Sequence, residues 1–184
     1  MDLHLIRHPE VAVAPGTCYG ASDVALAAPI DAAVAHLRPL LPTDAALFAS
    51  PLARAHLLAE ALGEPVIDER LREISFGDWE LQTYEAIGKA ALDRWADDPL
   101  DHRPPGGESA SEMSARVLAF LNELQAQRQG EAVVIVAHGG PLRVIAGHLL
   151  GLPPARWLTL DFAHARLTRI QVETWGTTLK LFNR

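Results

Sequence analysis

The sequence predicts an α/β protein, a three-layer α/β/α sandwich on a mostly parallel central sheet, and three features carry that expectation. Short apolar runs alternate with stretches of helical spacing along the chain. The run 131–137 (EAVVIVA) is apolar almost without interruption, as a strand covered on both faces must be. Three strand-like runs end in chemically active residues, Arg7-His8, Ser50-Pro51 and His138-Gly139, and open α/β sheets bind ligands at the carboxyl ends of their parallel strands.

The elements follow in order. Residues 3–6 are an apolar run that stops at Arg7, a first buried strand. Residues 9–23 form a long loop punctuated by Pro15, Gly16 and Gly20. Ile30, Val34, Leu37 and Leu41 share one helical face, with Pro29 at the first helical position and Pro42 beyond the end. A second strand covers 45–49. Ser50 then caps a helix with Pro51 at its first position, and Gly63 closes it. Val66-Ile67 is a short strand, 68–82 a polar loop, and 83–96 a helix halted before Pro99. A second loop, 101–108, leads to Ser109 or Ser111 as cap of a long helix to about Arg128. After the strand 131–137, Gly139-Gly140-Pro141 turns the chain into a helix ending near Gly151. The tail alternates over 166–172 and 178–182, an antiparallel hairpin around Gly176.

Composition narrows the function. At 184 residues the chain suits one domain, taken as 1–184, and needs no disulfide or structural metal to build a core. The formal charge of −7 disfavours nucleic acid, whose backbone calls for a basic face, but leaves room for a locally positive pocket. Cys18 is the one cysteine, so disulfide frameworks and CxxC metal or redox sites are excluded. The first ten residues are not a signal peptide, and the longest apolar run, 132–137, falls far short of the ~20 residues a membrane helix needs. A cytoplasmic protein with no membrane partner is expected.

If the three strands are parallel neighbours, two arginines and two histidines meet in one crevice with the starts of two helices aimed at it. Several donors of that kind suit a phosphate, whose oxygens call for several hydrogen bonds at once. Arg54 stands in the first turn of its helix, where positive charge opposes the helix dipole unless an anion is near. His36, His56 and His148 sit in helical patterns and read as surface or core residues. Cys18 reads as an inert thiol, because a cysteine phosphatase needs an arginine where Val24 stands.

Five landmarks in order carry a resemblance. Leu5-Ile6-Arg7-His8-Pro9-Glu10 resembles the L-x-R-H-G-E signature of the histidine phosphatase (phosphoglycerate mutase-like) superfamily. Ser50-Pro51-Leu52-Ala53-Arg54, the segment from Leu71 through Phe76-Gly77-Asp78-Trp79-Glu80, Gly106-Gly107-Glu108-Ser109 and Val136-Ala137-His138-Gly139-Gly140 resemble its later motifs. The resemblance implies a phosphoglycerate mutase-like fold, with His8 as nucleophile, Arg7, Arg54 and His138 holding the phosphoryl oxygens, and Glu73 as general acid and then base. Glu69, Glu80 and Glu85 stand close enough to Glu73 in sequence to compete for that last role. Tyr19 and Trp79 either stack on a substrate or belong to the core, and Glu108 and Ser109 either line the leaving-group pocket or serve a helix cap. Gly139 belongs to the expected substrate-binding set. The resemblance implies neither cofactor nor metal.

Three positions depart from the family pattern: Pro9 and Leu81 stand where glycines are usual, and Ala14 where many members place an asparagine. Pro9 removes a backbone donor and Ala14 a side-chain donor, so the phosphate site is expected to be two donors thinner. Within the family, the segment 18–26, Phe76-Gly77-Asp78-Trp79-Glu80 and Pro105-Gly106-Gly107-Glu108-Ser109 are most similar to the α-ribazole phosphatase branch. That implies hydrolysis of α-ribazole-5′-phosphate in cobalamin assembly, with a small phosphorylated metabolite as partner and a homodimer as an allowed assembly. Broad phosphomonoesterase or phosphoglycerate mutase-like activity and a non-catalytic phosphate-binding module are the alternatives.

Overall fold

The computed structural model describes residues 1–128 and 130–184. Strands β1 (Asp2–Arg7), β2 (Ala46–Ala49), β3 (Val66–Ile67), β4 (Ala132–Ala137), β5 (Leu167–Glu173) and β6 (Gly176–Leu181) make one sheet in the order β3-β2-β4-β1-β5-β6. The first four are parallel, whereas β5 runs antiparallel to β1 and β6 to β5. The sheet is therefore mostly parallel, with an antiparallel hairpin along one side. Its register brings three strand ends level, Arg7 opposite Ala137 and Ala49 opposite Val136.

The helices are α1 (Asp31–Leu37), α2 (Ala53–Leu62), the shorter α3 (Tyr84–Ile87) and α4 (Lys89–Asp97), then α5 (Ala110–Gln127) and α6 (Gly139–Leu149). Strand alternation sorts them into layers. On β4, Val133, Ile135 and Ala137 face the core that includes Val117, Phe120 and Leu121 of α5 and Leu142 and Ile145 of α6. Val134 and Val136 face the opposite core, with Leu37 of α1 and Ala55, Leu58 and Ala59 of α2. Covering both faces explains why 132–137 is apolar throughout; each fully buried valine or isoleucine there contributes about 1.5–3 kcal/mol. Among the described residues, no helix is long and apolar enough to cross a membrane.

Local boundaries moved where tertiary partners intervened. The first helix ends at Leu37 and tightens into a 3₁₀ turn, Arg38–Leu40, because Pro39 cannot continue an α-helix. The expected helix over 83–96 is two helices, broken at Gly88, whose φ of +86° lies in the left-handed region. Helix α2 starts at Ala53 rather than Pro51, and its cap comes from far away: Ala53 N donates to Asp23 Oδ1 at 2.7 Å. Of the two serines offered as caps for α5, Ser109 holds the position, in a capping box with Glu112.

Candidate active site

The level strand ends put four of the expected residues around one point. His8 follows β1 and His138 follows β4, with ring centroids 5.0 Å apart. Arg54, in the first turn of α2, reaches under them until its Nε lies 3.3 Å from His8 Nε2. Arg7 enters from the last residue of β1, beside Gly139, the first residue of α6; a Cβ on Gly139 would sit 3.6 Å from the Arg7 guanidinium carbon. His8, Arg54 and His138 are buried, at 2%, 0% and 0% exposure, and form the floor of a cationic cup, while Arg7 keeps partial exposure.

Hydrogen bonds orient each member. Arg54 also donates to Ser22 O (2.8 Å) and Gly20 O (2.5 Å), which locks its guanidinium beneath the loop 9–23. Arg7 Nη1 donates to Phe162 O at 2.7 Å, while its Nε is buried without a partner among the described residues. Ser50 Oγ lies 2.7 Å from His138 Nε2, and His138 Nδ1 is likewise buried with no partner among the described residues. Unpartnered buried polar atoms cost about 1–3 kcal/mol each, a cost that an anion accepting from both would relieve.

The tautomer of His8 is legible. Its Nδ1 lies 2.6 Å from Pro9 O, and a carbonyl only accepts, so Nδ1 carries the hydrogen and Nε2 the lone pair. Burial pushes the ring's pKa down to about 2, with the Arg54 and Arg7 charges, and His164 when protonated, acting the same way against the Pro9 carbonyl. His138 is held well below the usual imidazole range, first by burial and then by Arg54. Both imidazoles are neutral at physiological pH, and His8 presents a bare nitrogen to the arginines.

Glu73 stands at the mouth of the cup. Its Oε2 accepts from Gly140 N at 3.1 Å and its Oε1 from Ile74 N at 3.0 Å, so it rests on the first turn of α6. A Cβ on Gly140 would fall 2.2 Å from Glu73 Oε1, so the carboxylate keeps this position only opposite glycine. Among charged neighbours, Glu73 most strongly opposes the burial of both Arg7 and Arg54. Beyond it opens a cavity of about 270 Å³, lined by Tyr19, Phe76, Trp95, Trp157 and Arg143 as well as Glu73 and Gly140.

The competing carboxylates are otherwise engaged. Glu80 accepts from the amides of Gly20, Ala21, Ser22 and Phe76. Burial works to raise its pKa, but those amide bonds outweigh it and hold the group ionised below the usual range. Glu69 pairs with Arg72 on the surface and Glu85 is exposed on α3. Only Glu73 of the four lines the cavity.

Four residues expected at the substrate pocket, Trp79, Glu108, Ser109 and Gly139, do not line this cavity, and Gly139 lies at the cup beside Arg7 instead. Trp79 is buried and stacks on His102, ring centroids 6.1 Å apart, because its 3₁₀ turn points it into packing. Ser109 spends its hydroxyl on the cap of α5. Glu108 pairs with Arg116 (2.7 Å), whose Nη1 in turn donates to Arg70 O and Arg72 O and whose Nη2 reaches Glu73 O. Glu108 thus braces the main chain that carries Glu73. Tyr19 does line the cavity, with the Arg54 guanidinium 5.7 Å over its ring. Cys18 is buried and its thiol is pushed up to about 11, first by burial and then by Glu80, as an unreactive thiol should be.

Sequence reasoning passed over three neighbours. Ser50, read as a helix cap, instead orients His138. Arg143 lines the cavity from α6, its Nε held by Leu160 O at 2.8 Å. His164 sits with its ring centroid 5.0 Å from that of His8. No local pattern marks Arg143 or His164; Arg143 comes from α6, and His164 arrives through the packing of the loop before β5 against the end of β1.

The geometry has counterparts. The family model described as histidine phosphatase superfamily (branch 1) matches residues 3–184. The chain is 37% identical over 142 residues to a glucosyl-3-phosphoglycerate phosphatase of Mycolicibacterium vanbaalenii, covering 69% of this chain and 60% of that protein. It is 32% identical over 135 residues to phosphoserine phosphatase 1 of Hydrogenobacter thermophilus, covering 69% and 64%. Neither match reaches two thirds of the curated relative's own length. The crystal structure of the alpha-ribazole phosphatase from Shigella flexneri superimposes with a TM-score of 0.90 at 26% identity, over 100% of this chain and 96% of that one.

Proposed function

Because the chain belongs to the histidine phosphatase superfamily, branch 1, we propose that it is a phosphomonoester hydrolase that works through a phosphohistidine at His8, with α-ribazole-5′-phosphate as its substrate. The observation that carries the reading is the cup itself: a neutral imidazole, tautomer set by Pro9 O, whose Nε2 lone pair lies among Arg7, Arg54 and His138.

The chemistry runs in two displacements. Nε2 of His8 attacks phosphorus, and the bond to the ester oxygen breaks. Arg7 and Arg54 stabilise the charge spread over the phosphoryl oxygens, with His138 donating from Nδ1 if the Ser50 hydroxyl donates to its Nε2. Glu73, at the mouth, delivers a proton to the departing alkoxide. It then takes a proton from water, which attacks the phosphohistidine, and inorganic phosphate leaves as His8 regains its lone pair. Protein cations supply the charge stabilisation that a metal supplies elsewhere, so turnover is metal-independent.

The finer reading rests on the cavity and the likeness to the Shigella flexneri protein. Phe76, Trp95 and Trp157 offer flat apolar surface beyond Glu73, which suits a leaving group ending in an aromatic base better than one ending in an amino acid.

The test uses an aryl phosphate labelled in its phosphoryl group, with excess EDTA present. Acid-labile, alkali-stable label should appear on the peptide carrying His8 and be lost in His8→Ala. Strict metal dependence, or no label on that peptide, would refute the mechanism. A panel of α-ribazole-5′-phosphate, phosphoserine and phosphoglycerate, ranked by kcat/KM, tests the substrate.

A further inference from the structure

His164 lies in the loop before β5, and a clasp of hydrogen bonds holds that loop to the end of β1. Arg7 Nη1 donates to Phe162 O (2.7 Å) and Ala165 N to Arg7 O (3.0 Å). Asn183 accepts from Ala163 N on Oδ1 (2.9 Å) and donates from Nδ2 to Asp161 O (2.6 Å). Within the clasp Ala165 adopts φ +50°, a left-handed conformation that a residue with a Cβ adopts at a cost of about 1–3 kcal/mol when held by its surroundings. The result is a second imidazole against the nucleophile: His164 Nδ1 is 2.9 Å from His8 O, and the two rings are 5.0 Å apart. The carbonyl can only accept, so Nδ1 of His164 carries the hydrogen and its Nε2 the lone pair.

We propose that His164 is a positioning residue that also tunes the charge of the cup: its Nδ1–H holds the main chain of His8, and its Nε2 takes a proton from solvent when a dianion enters. The site needs such a device. Pro9 offers no N–H beside His8, and Ala14, an exposed residue, offers no side-chain donor, so a further hydrogen-bond donor to the anion has to come from elsewhere. His164 is half-buried and faces Arg7 and His8 from the end of β1, Glu10 from the loop after it and Asp161 from its own loop. Burial and then Arg7 hold its pKa below the ordinary imidazole value, against the His8 carbonyl and the two carboxylates. The ring is therefore neutral near pH 7 until an anion beside it favours the charged form.

The inference rests on the proposed phosphoryl cup, and sulfate separates the two, since it stays a dianion throughout the histidine range and binds without turnover. Its dissociation constant on the full chain, measured by calorimetry, is expected to fall about tenfold from about pH 8 to about pH 5, the effect of an imidazole pKa raised by about one unit on binding. In His164→Asn, whose amide keeps a donor for His8 O, the same constant should change by less than about twofold. His164→Gln, measured in parallel, should show the same flat profile. A wild-type slope that survives in either folded variant overturns the proposal, as does a flat wild-type profile. If Arg54→Gln weakens sulfate, the cup stands and the slope alone judges His164; if wild type binds no sulfate, cup and proposal fall together. For the positioning role, His164→Ala should have a kcat about tenfold below His164→Asn, with KM less affected, because only alanine drops the bond to His8 O. Equal kcat values overturn that role.

Discussion

Ser50 Oγ, just past the end of β2, lies 2.7 Å from Nε2 of His138, just past the end of β4, and this contact joins two neighbouring parallel strands at the floor of the cup. The hydroxyl does more here than it would at a helix start: it orients a fully buried ring whose other nitrogen, Nδ1, has no partner among the described residues.

Ser50→Ala is therefore expected to leave a buried imidazole nitrogen unpaired, at about 1–3 kcal/mol of stability, and to lower kcat by about ten- to a hundredfold as His138 loses its orientation. Urea unfolding and steady-state kinetics on an aryl phosphate check both. Lost stability with full activity would return Ser50 to a purely structural part.

Glu73→Gln removes the proton donor and keeps the shape. Alkyl phosphates, whose leaving groups need protonation, should slow by about a hundredfold or more, and nitrophenyl phosphate far less. Equal slowing of both would take Glu73 out of the acid role. Gly140→Ala should share the pattern in milder form, because its Cβ would press within 2.2 Å of Glu73 Oε1 and move the carboxylate.

Glu108→Gln tests the brace. With the charge and one of two acceptor oxygens gone, Arg116 relies more on the carbonyls of Arg70, Arg72 and Glu73, and the segment bearing Glu73 loosens. The expected outcome is a loss of about 1–3 kcal/mol and a fall in kcat on alkyl esters, without the rise in KM that loss of a substrate contact would bring.

Acid should destabilise the fold in a way that the buried imidazoles dictate. His8 is pushed down to about 2 when folded, and His138 also lies well below its ordinary value. Unfolded, each takes a proton near about pH 6.5, so the unfolded state binds more protons below that pH. Stability is then fully present above about pH 6.5 and is lost as pH falls towards the folded values, by up to about 1.4 kcal/mol per pH unit for each ring. Urea midpoints between neutral and mildly acid pH measure the slope, and His138→Asn should reduce it by about one proton's worth.

Trp95→Ala should raise KM for esters with aromatic leaving groups by about tenfold and barely change it for small alkyl phosphates, since Trp95 lines the cavity beyond Glu73 but not the cup. A uniform change across both classes would detach the cavity from leaving-group recognition.

Much of this architecture is written locally. The double-faced apolar run at β4, the Ser109 capping box and the alternation of β5 and β6 are short-range patterns with short-range causes, and they name their elements without help. Other boundaries depended on distant residues. Helix α2 begins where Asp23, thirty residues upstream, supplies its cap, and no window around Ser50 contains that information. The same holds at the site. Arg7, His8, Arg54 and His138 are announced by strand ends and motif order, whereas Trp79, Glu108 and Ser109, neighbours of the motifs in sequence, turn to packing, bracing and capping.

The sequence by itself determined the layered α/β fold and the four cationic or imidazole residues at its strand ends and in the helix turn after β2, because periodicity and strand termini are properties of consecutive residues. Tertiary structure alone decided which carboxylate faces the cavity, which hydroxyl orients His138 and that His164 stands beside His8. Those are meetings between segments far apart in the chain, set by sheet order, register and the clasp on the loop before β5, and a side chain's partner there depends on a fold that no local pattern describes.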